Sequence, residues 1–389
     1  GETLLYSTNY LMIQIDGKFA LNVLIDGEEE NFIDVNDFAH VYIWEEAGNT
    51  LPTCELAFNV QNEDLIPKLH EGTKLTITYG ADSLERDADF RVVNQSSQET
   101  GNQSKMVATI GIMDAKGYLI DSKAEITDKI SGIEAITNVI QPYFPKFDID
   151  PAKSDDKMNW IRPSTSAKRF VNETWMHTDL RNSAPLIGIT SEGEFRLKSL
   201  RKMVKEEDWI FTTQAGLTGD NVVRVESSIQ PELRSGFFNS WFGYEREQCE
   251  YDMDAGTKQV LTETLRAIIA SSDTLMRNSE IQKKFDNVGF LNENVHANYN
   301  KARLRNLGTL VTSSVMKITC AFTRDYFPIR ILDVVSVLPE MTDSPDASSR
   351  FLMGKYIVSK VTRLFMSREI VTRVELVRET INDPEGSLI

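Results

Sequence analysis

Apolar and polar residues alternate one for one through much of the first third of the chain. Cys54, Leu56, Phe58 and Val60 are interleaved with Glu55, Ala57 and Asn59; Leu75, Ile77 and Tyr79 with Lys74, Thr76 and Thr78, stopping at Gly80; and Met106, Ala108, Ile110 and Ile112 repeat the pattern. A period of two places alternate side chains on opposite faces, so these runs predict half-buried antiparallel strands. Asp16-Gly17, between Ile13/Ile15 and Phe19/Leu21, has the composition of a two-residue hairpin turn. About six strands within about 120 residues predict a small barrel or sandwich.

At about residue 123 the period changes. Ile130, Ile133, Ile136 and Val139/Ile140 recur at helical spacing behind a Thr127-Asp128 cap, and Pro142 ends the run. Pro163-Ser164 is expected to open a second helix with Ala167, Phe170, Val171 and Thr174/Trp175 on one face. Leu186 to Ile189, a turn at Glu192-Gly193, and Phe195/Leu197 predict a hairpin beside these helices. From about 216 strands return: Phe237 to Tyr251 and Lys258 to Leu265 predict a long hairpin around Asp252 to Gly256. Segment 270–300 is polar and shows neither period. Leu304, Leu307 and Leu310/Val311 predict a helix over 298–312. Met316, Ile318, Cys320 and Phe322, then Ile331 to Val337, Tyr356 to Phe365 and Ile370 to Leu376 predict a second β region. No internal repeat is visible.

The expected class is therefore α+β and β-rich: two small antiparallel β-barrels flanking an α+β module and a β-hairpin domain. The expected division is 1–122 for the first barrel, 123–215 for the module, 216–297 for the hairpin region, 298–380 for a helix plus the second barrel, and 381–389 for a tail. At 389 residues the chain is too long for one ordinary core. Hydrophobic content of 41% with 26% charged residues is that of a globular protein rather than a disordered one. With 42 Lys+Arg against 58 Asp+Glu the formal net charge is -16, which disfavours binding to nucleic acid through its phosphates. Cys54, Cys249 and Cys320 are far apart and odd in number, which suits a reducing compartment. No basic segment followed by an apolar core marks a signal peptide, and no apolar run approaches a membrane span, so no stable membrane insertion is expected.

Candidate chemistry is sparse. His40, His70, His177 and His296 lie apart, with no HExxH, and the sequence contains no GxxxxGK[ST], GxGxxG or GxSxG. Asp252, Asp254 and Gly256 resemble the front of a calcium loop, but strands are expected on both sides, so a hairpin turn is the preferred reading. Asp148, Asp150, Asp155 and Asp156 read as a solvated acidic loop. Lys198, Arg201, Lys202 and Lys205 beside Glu206 to Asp208 read as a self-neutralising surface. No catalytic residue, metal ligand or cofactor site is assigned. One interaction feature stands out: Phe237, Phe238, Trp241 and Phe242 place aromatics on both faces of one strand. Such a strand is either buried twice within the chain or packed on a neighbouring subunit or partner.

The order barrel, α+β module, hairpin, helix, second barrel resembles the baseplate hub proteins of contractile-tailed bacteriophages of the T-even type and the related spike-base proteins of contractile injection systems. Asn159-Trp160-Ile161-Arg162-Pro163-Ser164-Thr165-Ser166 leading into helix 167–176 is similar to the family's Trp-containing approach to its module helix. Leu186 to Leu197 is similar to the hairpin that follows it, Asn300 to Phe322 to the helix feeding a Cys-containing strand, and Gly354 to Val377 to the closing hairpin. In the first third, Leu75 to Tyr79 and Phe90-Arg91-Val92-Val93 carry the likeness.

The resemblance implies a structural, non-enzymatic role in the virion. Such hubs are homotrimers whose paired β-barrels form a pseudo-sixfold ring between the hexameric tail tube and the trimeric central spike. Other baseplate proteins contact the outward domains, and DNA is only passing cargo during ejection. An acidic lumen wall would repel phosphates rather than hold them. Two other classes remain open: a β-rich glycan hydrolase with scattered carboxylates, and a carbohydrate- or receptor-binding tail module.

Overall fold

The computed structural model describes residues 13–15, 19–25, 28–32, 37–60, 66–80, 85–100, 104–115, 117–150, 154–214, 216–225, 229–233, 245–265, 268–269, 283–322, 328–338, 352–366 and 369–379. The chain begins with strands β1 (Ile13–Ile15), β2 (Phe19–Ile25), β3 (Glu28–Phe32), β4 (Phe38–Glu46), β5 (Thr53–Val60), β6 (Lys74–Gly80), β7 (Arg86–Thr100), β8 (Ser104–Met113) and β9 (Ser122–Ile126). The module follows with α1 (Gly132–Ile140), β10 (Lys146–Ile149), β11 (Ile161–Ser166), α2 (Ala167–His177), β12 (Pro185–Ile189), β13 (Glu194–Ser199) and α3 (Leu200–Met203). Then come β14 (Trp209–Thr212), β15 (Val222–Arg224), β16 (Gln230–Leu233), β17 (Glu245–Asp252), β18 (Thr257–Thr264), β19 (Lys283–Leu291), α4 (Tyr299–Thr312), β20 (Met316–Phe322), β21 (Val334–Leu338), β22 (Gly354–Met366) and β23 (Glu369–Arg378). The β-rich α+β class expected from the pattern is what forms.

Local chemistry moves two helix starts. Ser131, not Thr127-Asp128, caps α1: its Oγ accepts from the Glu134 amide while the Glu134 carboxylate accepts from the Ser131 amide, a reciprocal capping box. Pro163-Ser164 does not open α2, because residues 161–166 are already committed to a ladder with β9; Ser166 caps the helix instead, accepting from the Arg169 amide. In the polar stretch 270–300, residues 283–291 form β19, parallel to β17.

The two β regions repeat one strand order. The first runs β2-β6-β7-β8-β5-β4 and the second β14-β21-β22-β23-β20-β16, so in both the six strands stand in the chain-order sequence 1-4-5-6-3-2. One pairing differs in sense: β2 is antiparallel to β6, whereas β14 is parallel to β21. In each region the long fifth strand carries a bulge against the sixth, between Val92 and Asn94 in β7 and between Val358 and Lys360 in β22.

The turn before the fourth strand also recurs bond for bond. Gly72 N–H donates to the Val92 carbonyl (2.8 Å), Val92 N–H to Thr73 (2.9 Å) and Thr73 N–H to His70 (3.1 Å). In the second region Leu332 N–H donates to Val358 (3.0 Å), Val358 N–H to Asp333 (3.0 Å) and Asp333 N–H to Arg330 (3.2 Å). The left-handed φ of +86° at Gly72 is matched by +67° at Leu332, a conformation that costs a non-glycine residue free energy.

Rather than standing apart, the two regions share a sheet. β23 holds one edge of β22, and β21 pairs with the start of its other edge, Gly354 to Ile357. Beyond the bulge that same edge pairs with β4, from Lys360 opposite Glu46 to Phe365 opposite Val41. Among the described residues no sheet closes on itself.

Candidate interaction surfaces

Two buried polar networks stitch the β regions to the module between them. In the first, the Arg363 guanidinium on β22 lies 3.3 Å from the Glu45 carboxylate on β4, both side chains 1% exposed. Glu45 Oε1 also accepts from the Ser191 amide (2.8 Å) and hydroxyl (2.6 Å) in the turn between β12 and β13. Since that hydroxyl proton is committed, the Tyr79 hydroxyl donates to Ser191 Oγ at 2.7 Å. Arg363 donates onward to the Ile329 carbonyl (2.6 Å).

In the second network Arg196 on β13 donates to Asp333 (2.8 Å), to Asp148 on β10 (3.1 Å) and to the Ile331 carbonyl, while Trp209 Nε1 donates to the other Asp333 oxygen (3.0 Å). Burial works against the Arg196 charge, but the Asp333 and Asp148 carboxylates outweigh it and hold the guanidinium above its ordinary pKa. Charges taken out of water persist only when paired and hydrogen-bonded in this way.

The acidic and basic clusters seen in the sequence meet here. Lys198 pairs with Asp148, Lys202 with Asp150 (2.9 Å) and Arg181 with Asp155, and the Asp150 carboxylate accepts from the Ser199 amide. Asp150 and Asp156 are thus buried structural partners, while Asp155 stays in solvent as expected from the sequence. Asp252 Oδ1 accepts from the Asp254 and Ala255 amides, as in an ordinary hairpin turn. Among the described residues no three His, Cys, Asp or Glu side chains gather as a metal site.

A third seam joins α2 to the start of α4. His177 Nδ1 donates to the Tyr299 carbonyl (3.0 Å) with the two rings stacked 3.6 Å apart, and His296 Nε2 donates to the His177 carbonyl (3.0 Å). Burial lowers the pKa of His177 to about 4 and also lowers that of His296. Asn306 on α4 donates to the Trp175, Met176 and Thr178 carbonyls, satisfying the end of α2.

Outward surfaces are of two kinds. The sheet β18-β17-β19 turns Arg246, Gln248 and Glu250 inward and exposes Tyr251, Val260, Phe285, Val288 and Phe290 on an outer face that also carries Glu247 and Lys258, with Phe285 71% exposed. Exposed apolar clusters of this sort mark contact sites. The other kind is an open backbone edge. Beyond its bulge β7 pairs with β8 on one side and, among the described residues, with no strand on the other; β16 likewise pairs only with β20. The aromatic positions Phe237, Phe238, Trp241 and Phe242 lie outside the described residues. The edge along Asn94 to Gln98 was legible only as a run without a single charge.

A 43 kDa tail protein of prophage MuSo2 from Shewanella oneidensis is similar to this chain at a TM-score of 0.61 and 10% identity, over 93% of this chain and 98% of that one. A tail protein from Neisseria meningitidis MC58 is similar at a TM-score of 0.58 and 9% identity, over 94% of this chain and 98% of that one. No protein-family model matches the sequence, and neither does any curated protein. The chain therefore has the fold of phage tail proteins, in keeping with the resemblance to tail hubs, and at these identities the likeness is one of fold.

Proposed function

We propose that this chain is a structural hub of a phage tail baseplate. Three copies form a pseudo-sixfold ring that joins the hexameric tail tube to the trimeric central spike and lets DNA pass through. The observation that carries this reading is the strand order repeated at the two ends of the chain and joined edge to edge through β22 and β4. One chain with two equivalent β units supplies two of six positions in such a ring, and each unit rounds into a small barrel there. The tail-protein fold supports a mechanical rather than an enzymatic role.

In this reading the outer face of β17–β19 meets other baseplate proteins, and Phe237, Phe238, Trp241 and Phe242 belong to a subunit or partner contact. The net charge of -16 suits a channel that must not retain phosphate. The protein works in the virion tail after assembly in a host cytoplasm. Light scattering over a range of concentrations tests the reading. A particle of about 132 kDa, three times 44.1 kDa, with a central hole in negative-stain images is expected. A particle that stays a monomer or closes as a dimer overturns it.

A further inference from the structure

The joint inside the chain is a template for a joint between chains. Within one copy, the fifth strand of the second region, past its bulge, pairs with the second strand of the first region. The first region has the same fifth strand, β7, with the same bulge and, among the described residues, an open edge past it; the second region has the same second strand, β16, likewise open among the described residues. We infer that β7 of one copy pairs antiparallel with β16 of the next, repeating the β22–β4 ladder across the subunit boundary. This rests on the ring reading above and names the contact that closes the ring.

The register follows from the described pairings. Setting the bulges level makes Gln95, Ser96, Ser97 and Gln98 equivalent to Val361, Thr362, Arg363 and Leu364. Aligning β16–β20 with β4–β5 makes Gln230, Pro231, Glu232 and Leu233 equivalent to Tyr42, Ile43, Trp44 and Glu45. Since Thr362 faces Trp44 and Arg363 faces Ile43, Ser96 faces Glu232 and Ser97 faces Pro231 of the neighbour.

Amide directions agree with this register. Ala47 N–H donates to the Ser359 carbonyl at 2.8 Å, and alternation turns Val361 and Arg363 towards β4 as well. Gln95 and Ser97 therefore point their amides off the open edge. Pro231 has no N–H to give, so the one ladder bond at that pair runs from Ser97 N–H to the Pro231 carbonyl.

A second copy is also the occupant that the edge chemistry favours. Natural sheet edges are blunted by charge or proline, yet Asn94 to Gln98 carries neither in a chain of net charge -16. The opposing edge of β16 carries both, in Pro231 and Glu232, and so is blunted against a second β16, whereas the uncharged β7 strip sets no like charge opposite Glu232. The match is head to tail, between unlike edges, the kind of interface a ring requires.

Cross-linking tests it. In protein with the exposed Cys249 changed to Ser, Ser96→Cys and Glu232→Cys are combined. The pair is the non-hydrogen-bonded kind, whose Cα separation of about 4.5 Å suits a disulfide. Oxidation should give a covalent trimer, and Ser96→Cys with Gln230→Cys, two residues out of register, should link at least about tenfold less. Ser97→Pro, which leaves the β8 ladder its bonds, should weaken association at least about tenfold at unchanged monomer circular dichroism. A trimer that yields no cross-link, or that survives Ser97→Pro, overturns the β7–β16 joint while leaving the ring reading intact. A protein that is monomeric before any substitution overturns both.

Discussion

Arg363 and Glu45 illustrate why a single residue can decide how large units sit. Each is almost wholly buried, and each has further fixed partners, Ile329 for the cation and Ser191 for the carboxylate. Removing one partner strands the other charge away from water, so Glu45→Ala should cost about 3–5 kcal/mol in urea unfolding. Replacing both by leucine should recover only part of that loss, because the stranded charge is removed but the buried Ser191 amide and Ile329 carbonyl lose their partners. His177 gives a different residue-scale prediction. Its folded pKa of about 4 lies below the ordinary 6.5, so the folded state binds fewer protons. Its contribution is complete above pH 6.5 and is lost as pH falls towards 4, by up to about 3 kcal/mol. Asparagine can replace the Nδ1 donor without titrating, so His177→Asn should flatten the decline of Tm between pH 6.5 and 5 to the share left by His296.

Among the elements, the repeated turn before β6 and β21 is the feature least visible in the sequence. Gly72 and Leu332 fill one backbone position, yet nothing in their identities links them. Gly72 has no neighbour within 4 Å of an added Cβ, so Gly72→Ala should cost about 1 kcal/mol through its left-handed φ alone. Strands with one buried face, such as β6 and β20, announce themselves by alternation: Leu75, Ile77 and Tyr79, or Met316, Ile318 and Cys320, are all buried. β19 does not, because a register shift opposite Gln248 and Glu250 breaks its period and Gly289 lies against Asn300. Thr127-Asp128 and Ser131 both precede α1 as cap candidates, and it is Glu134, three residues after Ser131, that closes the reciprocal box and selects Ser131.

At the scale of the whole molecule, class and element order were readable, whereas the connection between the two β regions was not. Strand pairing across more than three hundred residues, such as Lys360 with Glu46, leaves no local trace. The interior repeat is likewise hidden because its two copies keep the same backbone bonds with different side chains: Gln95 stands where Val361 does, and Ser97 where Arg363 does. Those differences follow from position. The internal joint is flanked by the module, whose Ser191 reaches Glu45, and so can hold a buried ion pair. The open edge of β7 carries only neutral polar residues, Asn94 to Gln98.

Pairing between unlike edges has no built-in end point. If each addition rotates the next copy by the right amount, the third meets the first and growth stops; a small error in that rotation gives a helical filament instead. In the proposed ring the rotation per copy would be the sum of two angles, one at the boundary between copies and one at β22–β4. The brace of Arg363, Glu45 and Ser191 would fix the second of these, and with it help decide between discrete particles and fibres.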